Sequence, residues 1–177
     1  MSLKNQIIAW QIKRRAKTID RKVVAANLEK VKTAGIIWKI DDREVHRLLV
    51  DSLKSKGVRI TSLCFSDQPG SLQGETVVSS DDFTVSGKLR NSEIESFIEE
   101  KFDLLIDISL AQGIEVQYVL ALSKATFKVG WSPLSLKHFD LVIDVSKRKE
   151  PGYLADQIVH YLGELNKAES EQKKSKN

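Results

Sequence analysis

Apolar and polar positions change along the chain in blocks that predict strands and helices in turn. Five short apolar runs are typical of buried strands, at 34–39, 58–65, 102–109, 126–130 and 139–146. Apolar residues at helical spacing fill most of the intervals between and after them. Strands that alternate with helices of about 10–15 residues are typical of βαβ units and a sheet covered on both faces. The pattern predicts an α/β fold, a three-layer Rossmann or flavodoxin-like sandwich with a mainly parallel five-stranded sheet.

Two segments do not fit the simplest form of this fold. Only eight residues, 131–138, join the fourth and fifth strands, whereas a parallel crossover usually needs about a dozen or more. That connection is therefore either compressed or antiparallel. The segment 66–90 is long for a loop in a compact domain, and two runs in it, 76–79 and 83–85, have the composition of short edge strands.

Two of the predicted strands are almost identical in sequence. FDLLIDIS at 102–109 and FDLVIDVS at 139–146 match at six of eight positions. The flanking helices show no such match, so a true internal repeat is not indicated. Shared strand chemistry explains the likeness: an acid precedes the apolar run, and Asp followed by Ser ends it.

The N-terminal segment is predicted to form an amphipathic helix of about five turns. Its apolar residues recur at helical spacing, at Ile8, Ile12, Ala16, Ile19 and Val23. Basic residues lie mainly off that stripe, and they are Lys13, Arg14, Lys17, Arg21 and Lys22.

The charge of the chain is concentrated in that segment. Residues 1–33 hold nine Lys or Arg and two acids, which gives +7, whereas residues 34–163 hold 15 basic and 19 acidic residues, which gives −4. The net charge of +4 for all 177 residues therefore conceals a basic arm on a slightly acidic body. The sequence predicts a basic helical arm at 1–33, one α/β domain at 34–165 and a polar tail at 166–177 that frays.

Three interpretations of the arm remain open. Its apolar face could pack on the body, which is how most amphipathic helices are used. Its Lys and Arg residues could bind RNA or another polyanion through phosphate contacts, or the helix could lie on an anionic membrane surface. The same apolar face could also mediate dimerisation or bind another protein.

A small-molecule site is the second candidate. Ligands of open parallel sheets bind beyond the carboxyl ends of the strands, where the strand order reverses. With the five predicted strands in the order 2-1-3-4-5, that point lies between the first and third strands, and it brings together Asp42, Asp107, Ser109 and Gly113. Carboxylates there could bind a divalent cation or a sugar hydroxyl. Alternatively, Asp41 caps a helix in a capping box with Glu44, and Asp107 accepts hydrogen bonds from its own loop.

Other motif searches exclude several classes of protein. Neither G-x-G-x-x-G nor G-x-x-x-x-G-K-[ST] occurs, and His46, His138 and His160 are not at metal-binding spacing. No cofactor, metal or catalytic residue is therefore predicted, and whether the chain is an enzyme stays open. Cys64 is expected in the core. One cysteine excludes an internal disulfide, and no apolar run of ~20 residues could cross a membrane, so a cytoplasmic location is expected.

Several segments spread over most of the chain resemble a known family. The resemblance is carried by FDLLIDIS, LALSKATFKVG (120–130) and FDLVIDV (139–145), with the basic N terminus before them and QIVHYLGELNK (157–167) after them. These pieces resemble a family of uncharacterised Bacteroidetes proteins, described only as a domain of unknown function. The resemblance covers most of the chain and implies no activity, cofactor or site residue.

Two classes of function therefore remain. The first, favoured because the basic arm is visible and enzyme motifs are missing, is a cytoplasmic, non-enzymatic binding module whose arm contacts a protein, a second copy, a polyanion or a membrane. The second is an enzyme or sensor that binds a nucleotide-like or sugar-like molecule at the carboxyl edge of the sheet.

Overall fold

The computed structural model describes residues 2–66, 76–110, 113–131 and 138–174, with the backbone alone for 166–174. Within these ranges the strands are β1 (Thr33–Lys39), β2 (Arg59–Phe65), β3 (Thr76–Val78), β4 (Leu104–Asp107), β5 (Phe127–Gly130) and β6 (Leu141–Val142). The α-helices are α1 (Leu3–Ala16), α2 (Arg43–Lys54), α3 (Ser92–Glu99), α4 (Ile114–Leu122) and α5 (Pro151–Lys174).

The strands form one parallel sheet in the order β3-β2-β1-β4-β5-β6. The predicted α/β fold with a mainly parallel sheet is confirmed, with six strands instead of five. The additional strand is β3, which lies in the run 76–79, whereas the run at 83–85 contributes only an isolated bridge between Phe83 and Leu89. Because β1 lies between β2 and β4, the strand order reverses beside β1, as expected.

The strands β5 and β6 are parallel, so the connection between them is unusually short for a parallel crossover. Val129 pairs with Leu141, and Gly130 pairs with Val142. Residues 132–137 of this connection lie outside the described part of the chain. The apolar run predicted as the fifth strand pairs at only two residues, although Ile143 and Val145 are buried just after it.

Two apolar cores lie on opposite faces of the sheet. One face packs against α2 and α5, through Leu49, Leu53 and Ile158 among others. The other face packs against α1, α3 and α4, and Ile8, Phe97 and Val119 belong to this second core. Cys64 is buried in the first core as predicted.

The N-terminal helix packs on the body. Ile8 is 0% exposed and Ile12 is 8% exposed, and α1 contacts α4. The guanidinium of Arg15 donates to the hydroxyl of Tyr118 in α4. The first interpretation of the arm is therefore confirmed for its apolar face.

The helix is shorter than predicted, because α1 ends at Ala16 instead of reaching Val23. The chain beyond it leaves the helical path and brings Arg21 to Asp140, where the guanidinium donates to both carboxylate oxygens at 2.8 and 2.6 Å. Arg21 also donates to the carbonyl oxygen of Ala125 at 3.2 Å. Tertiary contacts of this kind decide where the helix stops, and periodicity does not reveal them.

The repeated strand motif has a shared geometry. The carboxylate of Asp103 accepts from the backbone N–H of Thr33 in β1 at 3.0 Å, and that of Asp140 accepts from the backbone N–H of Lys128 in β5 at 2.8 Å. At the other end of each motif, Asp accepts from the N–H of the Ser two residues later, at 2.9 Å in both copies. Each motif thus ties its start to a neighbouring strand and its end to its own loop.

The capping box predicted at the start of α2 is not formed. Asp41 and Glu44 form no capping box, because a 3-10 turn covers Ile40–Asp42 and Glu44 bonds to Arg47 instead. The cap of α3 is Asn91, whose side chain accepts from the N–H of Glu93 at 3.0 Å. The helix α5 continues to Lys174, and the fraying predicted for the polar tail at 166–177 stays a prediction.

No helix in the described ranges is long and apolar enough to span a membrane.

Candidate functional site

A cavity of about 410 Å³ opens at the carboxyl edge of the sheet. The ends of three neighbouring strands line it: Lys39 closes β1, Phe65 closes β2 and Val78 closes β3. Leu110, which follows β4, and the start of α4 complete the wall. The cavity therefore lies on the β3-β2-β1 side of the point where the strand order reverses.

The lining combines an apolar floor with a few polar groups. Phe65, Val78 and Val116 are buried and supply the apolar surface. The polar groups that share the lining are Lys39, Ser66, Ser79, Ser80 and Glu115. A mixed lining of this kind suits a small molecule with both an apolar body and polar substituents.

The N terminus of α4 faces this cavity. Gly113 is its extended N-cap residue and makes no side-chain cap, so the first N–H groups of the helix present partial positive charge there. A Cβ at position 113 would lie 2.9 Å from a carboxylate oxygen of Glu115. The glycine thus leaves room for Glu115 beside the start of its own helix.

Leu110 has a strained backbone on the cavity wall. Its φ of 51° lies in the left-handed region, and no other non-glycine residue in the described ranges has a positive φ. A bulky residue in this region is uncommon, and strained residues of this kind cluster at functional sites.

The four residues predicted for this crevice have different surroundings in the structure. Gly113 lines the cavity. Asp107 is 2% exposed, and one of its carboxylate oxygens accepts from the N–H of Ser109 at 2.9 Å and from its hydroxyl at 2.6 Å. Asp42 lies at the start of α2, where burial raises the pKa of its carboxyl. A ligand contact by Asp42, Asp107 and Ser109 stays a prediction.

Apart from Gly113, the residues that line the cavity were not singled out from the sequence. Lys39, Phe65 and Val78 are the last residues of their strands. Lys39 and Phe65 are also the last residues of the strands that the sequence predicts at 34–39 and 58–65. Their meeting in one cavity depends on the pairing of β2 with β3, a non-local contact that no periodicity reveals.

Asp107 gives the stability of the folded protein a measurable pH dependence. Burial raises the pKa of its carboxyl from 3.8 to about 6, against the lowering effect of the hydrogen bonds from Ser109. Between those values the folded protein holds a proton that the unfolded chain has released, so this group makes stability fall as pH rises from about 4 to about 6.

We therefore expect Asp107→Asn to be more stabilising at pH 7 than at pH 4, by about 2–3 kcal/mol. The amide oxygen of asparagine can still accept from Ser109, so the loop contacts survive. Urea unfolding across this pH range measures the effect. Asp144→Asn is the matched control: this carboxyl is exposed, and a backbone hydrogen bond from Ser146 lowers its pKa, so no gain is expected at pH 7. A difference between wild type and Asp107→Asn that is independent of pH would contradict the assignment.

Two other buried ionisable side chains do not line the cavity. Lys128 donates through Nζ to the carbonyl oxygen of Leu120 at 2.6 Å, and burial lowers its pKa to about 7. His46 stacks on Trp38 with ring centroids 4.2 Å apart, and burial lowers its pKa to about 4. His46 is 8% exposed.

A second groove, of about 400 Å³, lies between α2 and α5. Its lining is mostly apolar and includes Leu48, Leu49, Ala155 and Val159. Leu48 is 56% exposed. The cavity at the sheet edge has more groups that can orient a polar ligand.

The basic arm residues have different surroundings. Lys13, Arg14, Lys17 and Lys22 are exposed, whereas Arg21 is occupied by its ion pair with Asp140.

Among the residues with described side chains, no three His, Cys, Asp or Glu residues lie close enough together to hold a metal ion.

Comparison with known proteins gives one match. A family model described as "Family of unknown function (DUF6913)" matches residues 4–165. Neither a curated protein nor a solved structure matches the chain. The matched range begins in α1 and ends in α5, so it includes the docked N-terminal helix and the whole sheet.

Proposed function

This chain belongs to that family of unknown function, and we propose that it binds a small anionic metabolite, such as a nucleotide or a sugar phosphate, at the carboxyl edge of its sheet. The observation that carries the proposal is the cavity formed by Lys39, the ends of β2 and β3, and the N terminus of α4. Its volume of about 410 Å³ falls in the range of small-molecule sites.

The anionic part of the ligand is assigned to one end of this cavity. The ammonium group of Lys39 supplies a full positive charge, and the start of α4 supplies backbone N–H donors and a partial positive charge. Phosphate groups are recognised by this combination in many α/β proteins. Glu115 carries the opposite charge and suits hydroxyl or amino groups on the body of the ligand.

The apolar part of the ligand is assigned to the floor of the cavity. Phe65, Val78 and Leu110 provide surface for a base or a sugar ring. Because a fold alone does not determine function, the proposal depends on this lining and not on the Rossmann-like strand order.

Lys39→Met tests the proposal. Wild-type protein is heated with nucleoside monophosphates, nucleoside diphosphates and sugar phosphates, and unfolding is followed by intrinsic fluorescence. A ligand present at about 100 times its Kd stabilises the native state by about 2.7 kcal/mol, which raises the Tm by roughly 5–10 °C. Lys39→Met should remove most of that shift, because it removes the cation and keeps the length of the side chain.

Lys32→Met is the matched control. Lys32 is exposed and precedes the amino end of the same strand, so its loss removes an equal charge from the opposite edge of the sheet. The control should keep the full shift in Tm. Equal shifts for Lys39→Met and wild type, or no shift with any compound in the panel, would exclude the proposed site.

We also propose a cytoplasmic location. Cys64 is the single cysteine of the chain and is buried, and a chain without an internal disulfide suits a reducing compartment.

A further inference from the structure

The outward side of the docked helix α1 is a mixed basic and apolar surface. With Ile8 and Ile12 facing the core, helical spacing places Leu3, Trp10 and Lys17 on the opposite side, seven residues apart. Leu3 is 73% exposed and Trp10 is 59% exposed. Lys13 and Arg14 flank Trp10 on the same side and are exposed, and the guanidinium of Arg14 lies 5.4 Å from the centre of the Trp10 ring.

A neighbouring loop extends this surface. The side-chain amide of Gln11 donates to the carbonyl oxygen of Ser86 at 2.9 Å, which fixes the turn at 84–88 beside α1. A Cβ at Gly87 would lie 3.1 Å from the side chain of Ile7, so this turn is in close contact with the helix. Val85 in the turn is 82% exposed, and Lys88 at the end of the turn is also exposed.

We propose that this surface docks the protein on a membrane that contains anionic phospholipids. It is defined by Leu3, Trp10, Lys13, Arg14, Lys17, Val85 and Lys88. The four cations complement phospholipid headgroups, to which each Lys or Arg contributes attraction near the surface. The three apolar side chains suit shallow insertion at the boundary between headgroups and acyl chains, and tryptophan is enriched at that depth.

A nucleic acid fits the same charges less well. Bases bind protein surfaces by stacking on planar groups, and Trp10 offers such a group. Leu3 and Val85 are aliphatic, so their high exposure is not explained by stacking, whereas insertion into a lipid interface explains all three side chains. The buried Ile8 and Ile12 stay in the core, so the helix binds the membrane without leaving the body.

Vesicle binding tests this inference with the whole protein. Vesicles of phosphatidylcholine mixed with phosphatidylserine should sediment the protein, and vesicles of phosphatidylcholine alone should not. Trp38 and Trp131 are 0% and 7% exposed, so a blue shift of tryptophan fluorescence on binding reports Trp10. The triple variant Lys13→Glu, Arg14→Glu, Lys17→Glu should lose affinity by roughly 100-fold or more.

Two further variants separate charge from insertion. Leu3→Ser, Trp10→Ser and Val85→Ser together should weaken binding by roughly tenfold or more while keeping the cations. Lys54→Glu, Lys56→Glu and Arg59→Glu alter three exposed cations near the end of α2 and the start of β2, and this control should bind like wild type. The inference is overturned if the control loses as much affinity as the α1 variant, if phosphatidylserine makes no difference, or if wild type binds a single-stranded oligonucleotide and not the vesicles.

Discussion

Ile8→Ala is expected to lower the free energy of unfolding by about 2–5 kcal/mol. Ile8 is fully buried and belongs to the same core as α3 and α4. The substitution removes its outer methyl and methylene groups and leaves a cavity that the surrounding helices fill only in part. A loss of this size would show that α1 is part of the domain core, although the charge pattern alone suggests a separable arm.

Leu3→Ala is the matched control in the same helix. Leu3 is 73% exposed, so its change should stay within about 0.5 kcal/mol. Urea unfolding followed by circular dichroism measures both variants, and its slope reports the surface exposed on unfolding. If Ile8→Ala leaves the midpoint unchanged and lowers the slope, α1 unfolds separately and the core assignment fails.

Asp140→Ala is expected to cost about 3 kcal/mol, near the lower end for breaking a buried ion pair. The side chains of Arg21 and Asp140 are 19% and 13% exposed, so solvent screens the pair only in part. The same carboxylate accepts from the backbone N–H of Lys128, and alanine leaves this N–H without its acceptor and the guanidinium without its opposite charge.

A double-mutant cycle with Arg21→Met isolates the contact between the two side chains. We expect the double variant to be less destabilised than the sum of the single variants, because each single variant already breaks the pair. Asp20→Ala removes an exposed acid from the neighbouring position and should change stability by less than about 0.5 kcal/mol. Additive effects of Arg21→Met and Asp140→Ala would contradict the ion pair.

The sequence predicts well the elements that consist of an unbroken run of buried residues. The apolar run before Lys39 is sufficient to predict β1, whereas the order of the strands was left open by the sequence. The run at 139–146 shows the limit: Phe139, Ile143 and Val145 are buried, but Leu141 and Val142, which pair with a neighbouring strand, are only partly buried. Apolar composition indicates burial, and it does not indicate which residues bond to another strand.

The sequence predicted where the candidate site lies, but it identified only Gly113 among the residues that line the cavity. The rule for open parallel sheets identified the carboxyl edge, and Gly113 lies there. It did not identify Lys39 or Val78, because these residues meet through the register of β1, β2 and β3. The basic residues of the arm were visible as a group, but only the structure shows that Arg21 serves an internal contact while Lys13 and Lys17 face outward.

The ion pair between Arg21 and Asp140 also bears on how the chain is synthesised. Its partners are 119 residues apart in sequence, and α1 packs on a helix that begins only at Ile114. Translation proceeds from the N terminus, so α1 leaves the ribosome long before either contact can form. Ile8 and Ile12 remain uncovered on the nascent chain during that interval. The N-terminal helix α1 is therefore synthesised first and completes its packing last.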